Sequence, residues 1–301
     1  MFEKVLAALA ARPSGTLRSP YGTAHPAFTP IERTASTLVF VDGGNAVLYE
    51  SPEALLAYIR VAAIRYEGRK RTAIERREGA LLVLHEGETI RATSEEFGFA
   101  ETFDANDTSL RMGADDVALA TVAQLCRFLI ECRVAANRAC LVIRDGTLQG
   151  LNEHEEKALS QLDNVAGLAK TTTLRSSTGA SATSAVLARA PGGAWCCTLD
   201  ERCALVKLHP RSDYVFRLDS DAPTVVANKL AVLADDPAFL GYPYGLIEAD
   251  RLARISHQEA RLLRLRFQAE AGSAWRALAE RERALDAHSI LDALANRKRL
   301  K

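Results

Sequence analysis

Two short apolar runs, each followed by aspartate and glycine, constrain this chain more than any other feature. The first run covers residues 37–41 and leads into Asp42, and the second covers residues 140–144 and leads into Asp145. Apolar runs of about five residues, rich in β-branched and aromatic side chains and bounded by glycine, are typical of buried strands. The sequence therefore predicts two strands that each place a carboxylate where the backbone leaves a sheet.

The two aspartates suggest a metal site. Neighbouring strands lie about 4.8 Å apart, so pairing of these two strands would bring Asp42 and Asp145 side by side. Close carboxylates repel each other unless one takes up a proton or a cation lies between them. Oxygen ligands suit Mg²⁺ or Mn²⁺, and such centres hydrolyse phosphodiesters. Either motif alone would favour a simple turn after a strand, whereas the pair favours the metal site.

Length and charge restrict the class of protein. The 301 residues are 48% hydrophobic, enough for one large α/β domain or two smaller ones. We expect a single domain with its core at about 35–257, an N-terminal helix and wrapping loop over 1–36, and C-terminal helices over 258–297. Basic and acidic residues both total 38, whereas nucleic-acid-binding domains are usually basic. Any nucleic-acid contact would therefore be local or supplied by a partner.

One basic cluster offers such a local contact. Arg69, Lys70 and Arg71 are consecutive and fall between two predicted strands, so they predict a basic hairpin tip. Contact with nucleic acid is the functional interpretation, and a solvated charged turn is the alternative.

The six cysteines and the termini bear on the compartment. The cysteines form no Cys-x-x-Cys pair and have no histidine cluster beside them, which argues against zinc. Their apolar surroundings indicate reduced, buried thiols. The charged N-terminus does not resemble a signal peptide, and no segment approaches the ~20 apolar residues of a membrane span. We therefore expect a cytoplasmic protein without membrane contact.

Hydrophobic periodicity predicts alternating strands and helices. A tight turn is expected at residues 43–44 and an acidic loop over 86–114. A flexible loop or helix entry is expected over 171–186. Further strands are predicted over residues 46–49, 58–66, 80–85, 164–170, 195–199, 204–208 and 214–219. Helices are predicted over 2–11, 115–138, 153–162, 224–233, 246–255 and, as one or two segments, 256–297.

Two more residues stand out by position. Glu131 lies inside the apolar helix that precedes Asp145, and because burial of an unpaired carboxylate is costly, a metal or an arginine would be needed beside it. The alternative is that Glu131 lies at the margin of the buried stripe. Lys170 ends a predicted strand, where it could contact nucleic acid and stabilise the charge of a phosphoryl transition state; a plain surface lysine is the alternative.

Four motifs, taken in order, resemble the NurA nucleases of DNA end resection. They cover residues 40–44, 142–148, 165–171 and 241–253. The resemblance implies an α/β fold with a ribonuclease-H-like mixed central sheet flanked by helices, and a helical C-terminal tail. It also implies a Mn²⁺-dependent (or Mg²⁺-dependent) DNA nuclease, and a homodimer that docks on a hexameric HerA-type ATPase.

The resemblance also implies roles for individual residues. It implies that Asp42 and Asp145 are metal ligands and that Glu131 is the acidic ligand on the helix between them. Lys170 corresponds by its strand-end motif. Tyr214 corresponds to an active-site tyrosine only by its distance from Asp145.

Two positions depart from the family pattern. Asp250 stands where the family often has histidine, which questions a general acid/base role there and offers another metal ligand. The first motif reads Asp-Gly-Gly instead of Asp-Gly-Ser, which removes a hydroxyl but no ligand.

We therefore expect a metal-dependent DNA nuclease with 5′–3′ exonuclease and single-strand endonuclease activity, acting in double-strand break end resection. One alternative is a catalytically inactive clamp or adaptor subunit of a HerA-type motor. Another is a sugar or acetate kinase of the actin-like type, which also uses Asp-Gly-Gly strand ends. That kinase would need a second glycine-rich phosphate loop, and residues 176–179 match one poorly.

Overall fold

The computed structural model describes residues 2, 16–20, 22–24, 26–111, 116–136 and 138–285. The helix predicted over 2–11 falls outside these residues except for residue 2, as does the predicted tail beyond residue 285. The strands are β1 (Arg18–Ser19), β2 (Gly22–Thr23), β3 (Ala27–Pro30), β4 (Thr37–Glu50), β5 (Ala54–Glu67), β6 (Lys70–Glu86), β7 (Thr89–Ser94), β8 (Phe99–Asp104), β9 (Leu141–Asp145), β10 (Val165–Ala169), β11 (Trp195–Thr198), β12 (Cys203–Lys207) and β13 (Phe216–Asp219). The helices are α1 (Leu119–Ala135), α2 (Glu153–Ser160), α3 (Ala182–Leu187), α4 (Pro223–Leu230), α5 (Tyr244–Ala253) and α6 (His257–Leu285).

The chain divides into two compact units. Unit 1 comprises Met1–Gly44, Ile59–Glu78 and Gln124–Arg254, and unit 2 comprises Asn45–Tyr58, Gly79–Ala123 and Ile255–Lys301. The long strands β4, β5 and β6 contribute residues to both units. Whether the chain folds as a single domain therefore stays a prediction.

Unit 1 is built on a mixed sheet. Its strands follow the order β3-β11-β12-β13-β10-β9-β4-β5-β6. Strand β9 pairs in parallel with both β10 and β4. The pairs from β10 outward to β3 are antiparallel. The carboxyl ends of β9 and β10 therefore lie beside β4 part-way along its length, so the Asp-Gly motif inside β4 lies next to the one that ends β9.

Successive side chains along each strand point to opposite faces of this sheet. Phe40, Ile143 and Leu168 belong to the main core, which also contains buried residues of α4 and α5. Their sequence neighbours point to the opposite face. That face meets α1, where the Arg144 guanidinium lies 4.7 Å from the centre of the Phe128 ring. Helices thus flank the sheet on both sides.

Unit 2 contains an antiparallel meander and the long C-terminal helix. Strands β6, β7 and β8 pair in sequence. Helix α6 packs against the second part of β4, where the ring centre of Trp275 lies 6.0 Å from that of Tyr49. Arg264 of α6 donates to the carbonyl of Val47 (2.9 Å). Within the described residues, no helix is long and apolar enough to cross a membrane.

Most predicted elements are confirmed with shifted ends, and two predictions are wrong. The turn predicted at Gly43-Gly44 does not exist, because both glycines lie inside the continuous strand β4. The loop predicted over 86–114 contains β7 and β8, in which buried residues such as Ile90 and Phe103 alternate with exposed polar ones. A polar outer face gave this hairpin the composition of a loop. Strand β3 was also missed, within a stretch expected to wrap the domain.

Candidate active site

The two Asp-Gly motifs lie side by side in the unit 1 sheet, at the carboxyl end of β9. Parallel pairing aligns Val41 of β4 with Arg144 of β9, so the next pair in register is Asp42 and Asp145. Both aspartates continue the face of Phe40 and Ile143, which packs against α4 and α5. The Gly43 N–H donates to Asp42 Oδ1 (2.7 Å). The structure thus brings together the two carboxylates that the sequence singles out.

The surroundings of Asp42 disfavour the ionised form of its carboxyl group. Its pKa is raised to about 7, chiefly by burial and then by the negative charges of Glu131, Asp145 and Asp250. The Gly43 hydrogen bond opposes this shift without cancelling it. Four acidic side chains are therefore close enough to influence one another, and Asp42 lies where a cation would relieve the most repulsion.

Asp145 is held by donors from two other elements. Lys170, which follows β10, donates from Nζ to Asp145 Oδ2 (2.5 Å), and the Tyr242 hydroxyl donates to Oδ1 (3.2 Å). Burial and the Asp145 charge raise the pKa of Tyr242, which keeps its hydroxyl protonated. Burial acts to lower the pKa of Lys170, but Asp145 and then Asp250 and Asp42 raise it overall.

Glu131 is buried and paired with two arginines. Its carboxylate accepts from Arg127 (2.8 Å) and from Arg144 (3.0 Å). Arg127 also donates to the carbonyl of Gly43 (3.0 Å), and Arg144 to that of Thr147 (2.7 Å). The structure therefore shows the arginine pairing that the sequence left open as one explanation. Glu131 lies on the α1 face of the sheet, opposite the face that carries Asp42 and Asp145.

Asp250 approaches the pair from α5. It accepts from Arg254 one turn further on (2.5 Å), and its charge acts on Asp42, Lys170 and Tyr242. The C-terminal end of α5 is fixed by the buried Arg60, which donates to the carbonyl of Arg254 (3.0 Å). Asp250 is thus the acidic residue that faces the carboxylate pair from the helical layer.

The close approach of α5 depends on two glycines. A Cβ at Gly245 would lie 2.1 Å from the Phe40 ring, and one at Gly44 would lie 2.4 Å from the carbonyl oxygen of Ala253. Neither position can carry a side chain without movement of the helix. Gly44, one of the two glycines that suggested a turn, therefore lets α5 lie against β4.

Contacts with β13 and β10 fix the loop after Asp145. Asp219 of β13 accepts from the Leu148 N–H (3.0 Å) and is held by a buried double hydrogen bond from Arg217 (2.8 Å each). A Cβ at Gly167 would lie 2.5 Å from the carbonyl oxygen of Gly146. These contacts fix the direction in which the chain leaves Asp145.

The tyrosine that contacts the carboxylates is Tyr242. Tyr214 is exposed, and its ring lies 5.0 Å from that of Phe239, which in turn stacks on Tyr242 at 5.0 Å. A role for Tyr214 stays a prediction without a contact to support it. Tyr242 lies in the fourth motif, over 241–253, without an assigned role, and its position between Gly241 and Pro243 was the available signal.

The predicted basic tip follows the turn at Gly68 and is engaged in ion pairs. Arg69 pairs with Asp235, and Arg71 pairs with Glu248 (2.6 Å). Lys70 is exposed at the start of β6. Two of the four predicted nucleic-acid contacts, Arg69 and Arg71, are therefore partly neutralised within the chain.

Among the described residues, no group of three or more His, Cys, Asp or Glu side chains is arranged as a metal site. Five of the cysteines are buried and Cys140 is partly so, as predicted. Burial raises the pKa of Cys196 to about 11 and that of Cys132 to about 12, which keeps these thiols protonated.

No protein-family model and no curated protein sequence matches the chain. Among solved structures, it is similar to the NurA nuclease from Sulfolobus solfataricus (12% identity, TM-score 0.54, 89% of this chain and 92% of the other). It is also similar to a second NurA structure (9% identity, TM-score 0.52, 86% and 94%). At these identities the likeness establishes the fold, which is a NurA-like α/β fold of the ribonuclease-H-like type, as the sequence predicted.

Proposed function

We propose that this protein is a metal-dependent DNA nuclease in which Asp42 and Asp145 hold Mn²⁺ or Mg²⁺, with Asp250 as the nearby carboxylate that would complete the set when the metal binds. The observation that carries the proposal is the junction of β4 and β9. There Asp42 and Asp145 are adjacent in register, and Asp42 is partly buried near other carboxylates. A NurA-like fold around this junction supports the same assignment.

The donor set fits a hard divalent cation. It consists of carboxylate oxygens, which suit Mg²⁺ and Mn²⁺, and burial together with the neighbouring negative charges raises the pKa of Asp42 to about 7. Asp250 suits the third position better than Glu131. Glu131 is committed to two arginines, whereas Asp250 has one partner, Arg254, whose side chain is 69% exposed. When bound, the metal would activate water and neutralise charge on the scissile phosphate.

The remaining residues act around this set. Tyr242 orients Asp145 through its hydroxyl, and the protonated Lys170 supplies a positive charge beside the phosphate. A hydrogen-bond network of Glu131, Arg127 and Arg144 connects α1 to the middle of β4 and to the end of β9. We assign Glu131 a positioning role on these contacts.

The likeness to NurA also supports a biological setting for the proposal. The substrate would be a DNA end, the activity a 5′–3′ exonuclease with single-strand endonuclease action, and the process double-strand break resection. The assembly would be a homodimer docked on a HerA-type ATPase. A neutral chain suits an enzyme whose DNA is delivered by a motor, since its own long-range attraction for DNA is weak.

The test is DNA cleavage by purified protein with Mn²⁺ and with EDTA. We expect cleavage only with the metal, and we expect Asp42→Ala to lower the rate by at least about 100-fold, because loss of one ligand removes the metal or its geometry. Asp221→Asn is the matched control. It changes an aspartate whose side chain is 89% exposed, and it should cleave at the wild-type rate.

Two results would contradict the proposal. Equal cleavage by wild type and Asp42→Ala would show that the activity lies elsewhere or comes from a contaminant. No cleavage by wild type, together with binding to a HerA-type ATPase, would favour the inactive clamp.

A further inference from the structure

Lys170 is the cation that already lies among the acidic residues. Its ammonium is 2.5 Å from Asp145 Oδ2 and 5.4 Å from the centre of the Tyr242 ring. The other Asp145 oxygen accepts from the Tyr242 hydroxyl. Both oxygens of a proposed metal ligand are thus occupied by donors of the same chain, and one of these donors carries a full positive charge.

We propose that Lys170 is an internal counter-cation that occupies the metal position and must leave Asp145 when the metal binds. This inference rests on the proposed function, because it concerns the same carboxylates. It adds a role in setting metal affinity, distinct from any contact with the phosphate. In the metal-free protein the ammonium offsets the charge of Asp145, and in the loaded protein it is released towards the substrate.

Charge makes the two cations mutually exclusive. An ammonium within hydrogen-bond distance of Asp145 would lie only a few ångströms from a divalent ion bound to the same carboxylate, and at that range their repulsion is strong even in a polarisable site. The ion pair of Lys170 must therefore break before the metal is fully bound.

Lys170 is also built to move. Its side chain is 41% exposed and has a flexible four-carbon stem, attached directly after the end of β10. Arg144, the partner of Glu131, offers a contrast, because its side chain is 6% exposed and its guanidinium lies over Phe128. Exchange of cations is thus possible at Asp145 and blocked at Glu131.

The first test measures binding of Mg²⁺ and Mn²⁺ alone by calorimetry, without DNA. We expect Lys170→Met to bind metal at least about tenfold more tightly than wild type, because the competing charge is gone, although its DNA cleavage should be slower. Lys157→Met is the matched control, since Lys157 is exposed in the last turn of α2; its metal affinity should be unchanged. If Lys170→Met fails to fold, Lys170→Gln keeps a donor for Asp145 without the charge.

The second test follows the ammonium itself. Acetylation of each lysine, measured by mass spectrometry, should become faster at Lys170 when Mg²⁺ is added and stay constant at Lys157. This readout separates release of the side chain from a general effect of its charge.

The outcomes distinguish this inference from the proposed function. Wild type that binds metal and cleaves DNA, with equal or weaker metal binding by Lys170→Met and Lys170→Gln, would overturn the counter-cation role alone. Unchanged acetylation of Lys170 on metal addition would do the same. Wild type that binds neither metal would overturn both.

Discussion

Asp42 illustrates how one residue can be unfavourable for folding and useful for function. It is partly buried inside β4, with Asp145 beside it and with Glu131 and Asp250 near, so its ionisation in the folded state is disfavoured. The unfolded chain has no such neighbours, and there the side chain titrates near 3.8. The difference between the two states makes the stability of the metal-free protein depend on pH.

The sign of this dependence follows from proton binding. Between pH 4 and 7 the folded state holds a proton on Asp42 that the unfolded state has lost, so rising pH lowers the free energy of unfolding over this range. In metal-free buffer we expect Asp42→Asn to be more stable than wild type at pH 8 by roughly 1–3 kcal/mol, with the difference vanishing towards pH 4. Urea unfolding in EDTA at several pH values measures this.

Asp221→Asn again provides the control, with no such gain expected because its carboxylate is exposed. A difference between wild type and Asp42→Asn that stays constant from pH 4 to 8 would contradict this account of Asp42. Added Mn²⁺ should stabilise wild type and leave Asp42→Asn nearly unaffected.

At the scale of elements, the contact of α5 with β4 places Asp250 near the carboxylate pair. Gly245 lies against the Phe40 ring, Gly44 lies against the Ala253 carbonyl, and Arg60 holds the end of the helix. Because each contact is close, a small displacement of α5 would move both Asp250 and the preceding Tyr242.

Gly245→Ala tests this packing. The added methyl group would lie 2.1 Å from the Phe40 ring, and overpacking of this kind costs about 1–3 kcal/mol of stability. We expect thermal unfolding at a lower temperature and weaker metal binding. Phe40→Leu in the same chain should recover part of the stability by making room for the methyl group.

Gly192→Ala is the matched control, since a Cβ there meets no atom within 4 Å; it should behave as wild type. Full stability and full metal affinity in Gly245→Ala would show that α5 can shift without consequence for the site.

The sequence predicted the elements whose signal is local. The strands that carry Asp42 and Asp145 were predicted because both begin as apolar runs, but β4 does not end at Asp42 as predicted and continues to Glu50. The glycine pair after Asp42 was misread because its cause is tertiary: a Cβ at Gly44 would meet the carbonyl of Ala253 in α5, and one at Gly43 would lie 3.1 Å from Glu131 Oε2 of α1. Tyr242 was not assigned to the site for the same reason, since its partner Asp145 lies 97 residues away.

At the scale of the whole molecule, every candidate site residue belongs to unit 1. The chain has no net charge, and Arg69 and Arg71 are paired with acidic residues of the same unit. Among the carboxylates at the junction of β4 and β9, Asp145 is paired with Lys170 and Glu131 with two arginines, whereas the pKa of Asp42 is raised to about 7 by burial and by its acidic neighbours. A protein organised in this way is suited to bind a cation there.

The position of bound manganese tests this central claim most directly. Crystals soaked with MnCl₂ and measured at the manganese absorption edge should give an anomalous peak within about 2.2 Å of carboxylate oxygens of both Asp42 and Asp145. Lys170 should then be turned away from Asp145. Manganese bound only at other carboxylates, or no manganese at the junction of β4 and β9 in crystals that bind it elsewhere, would contradict the account.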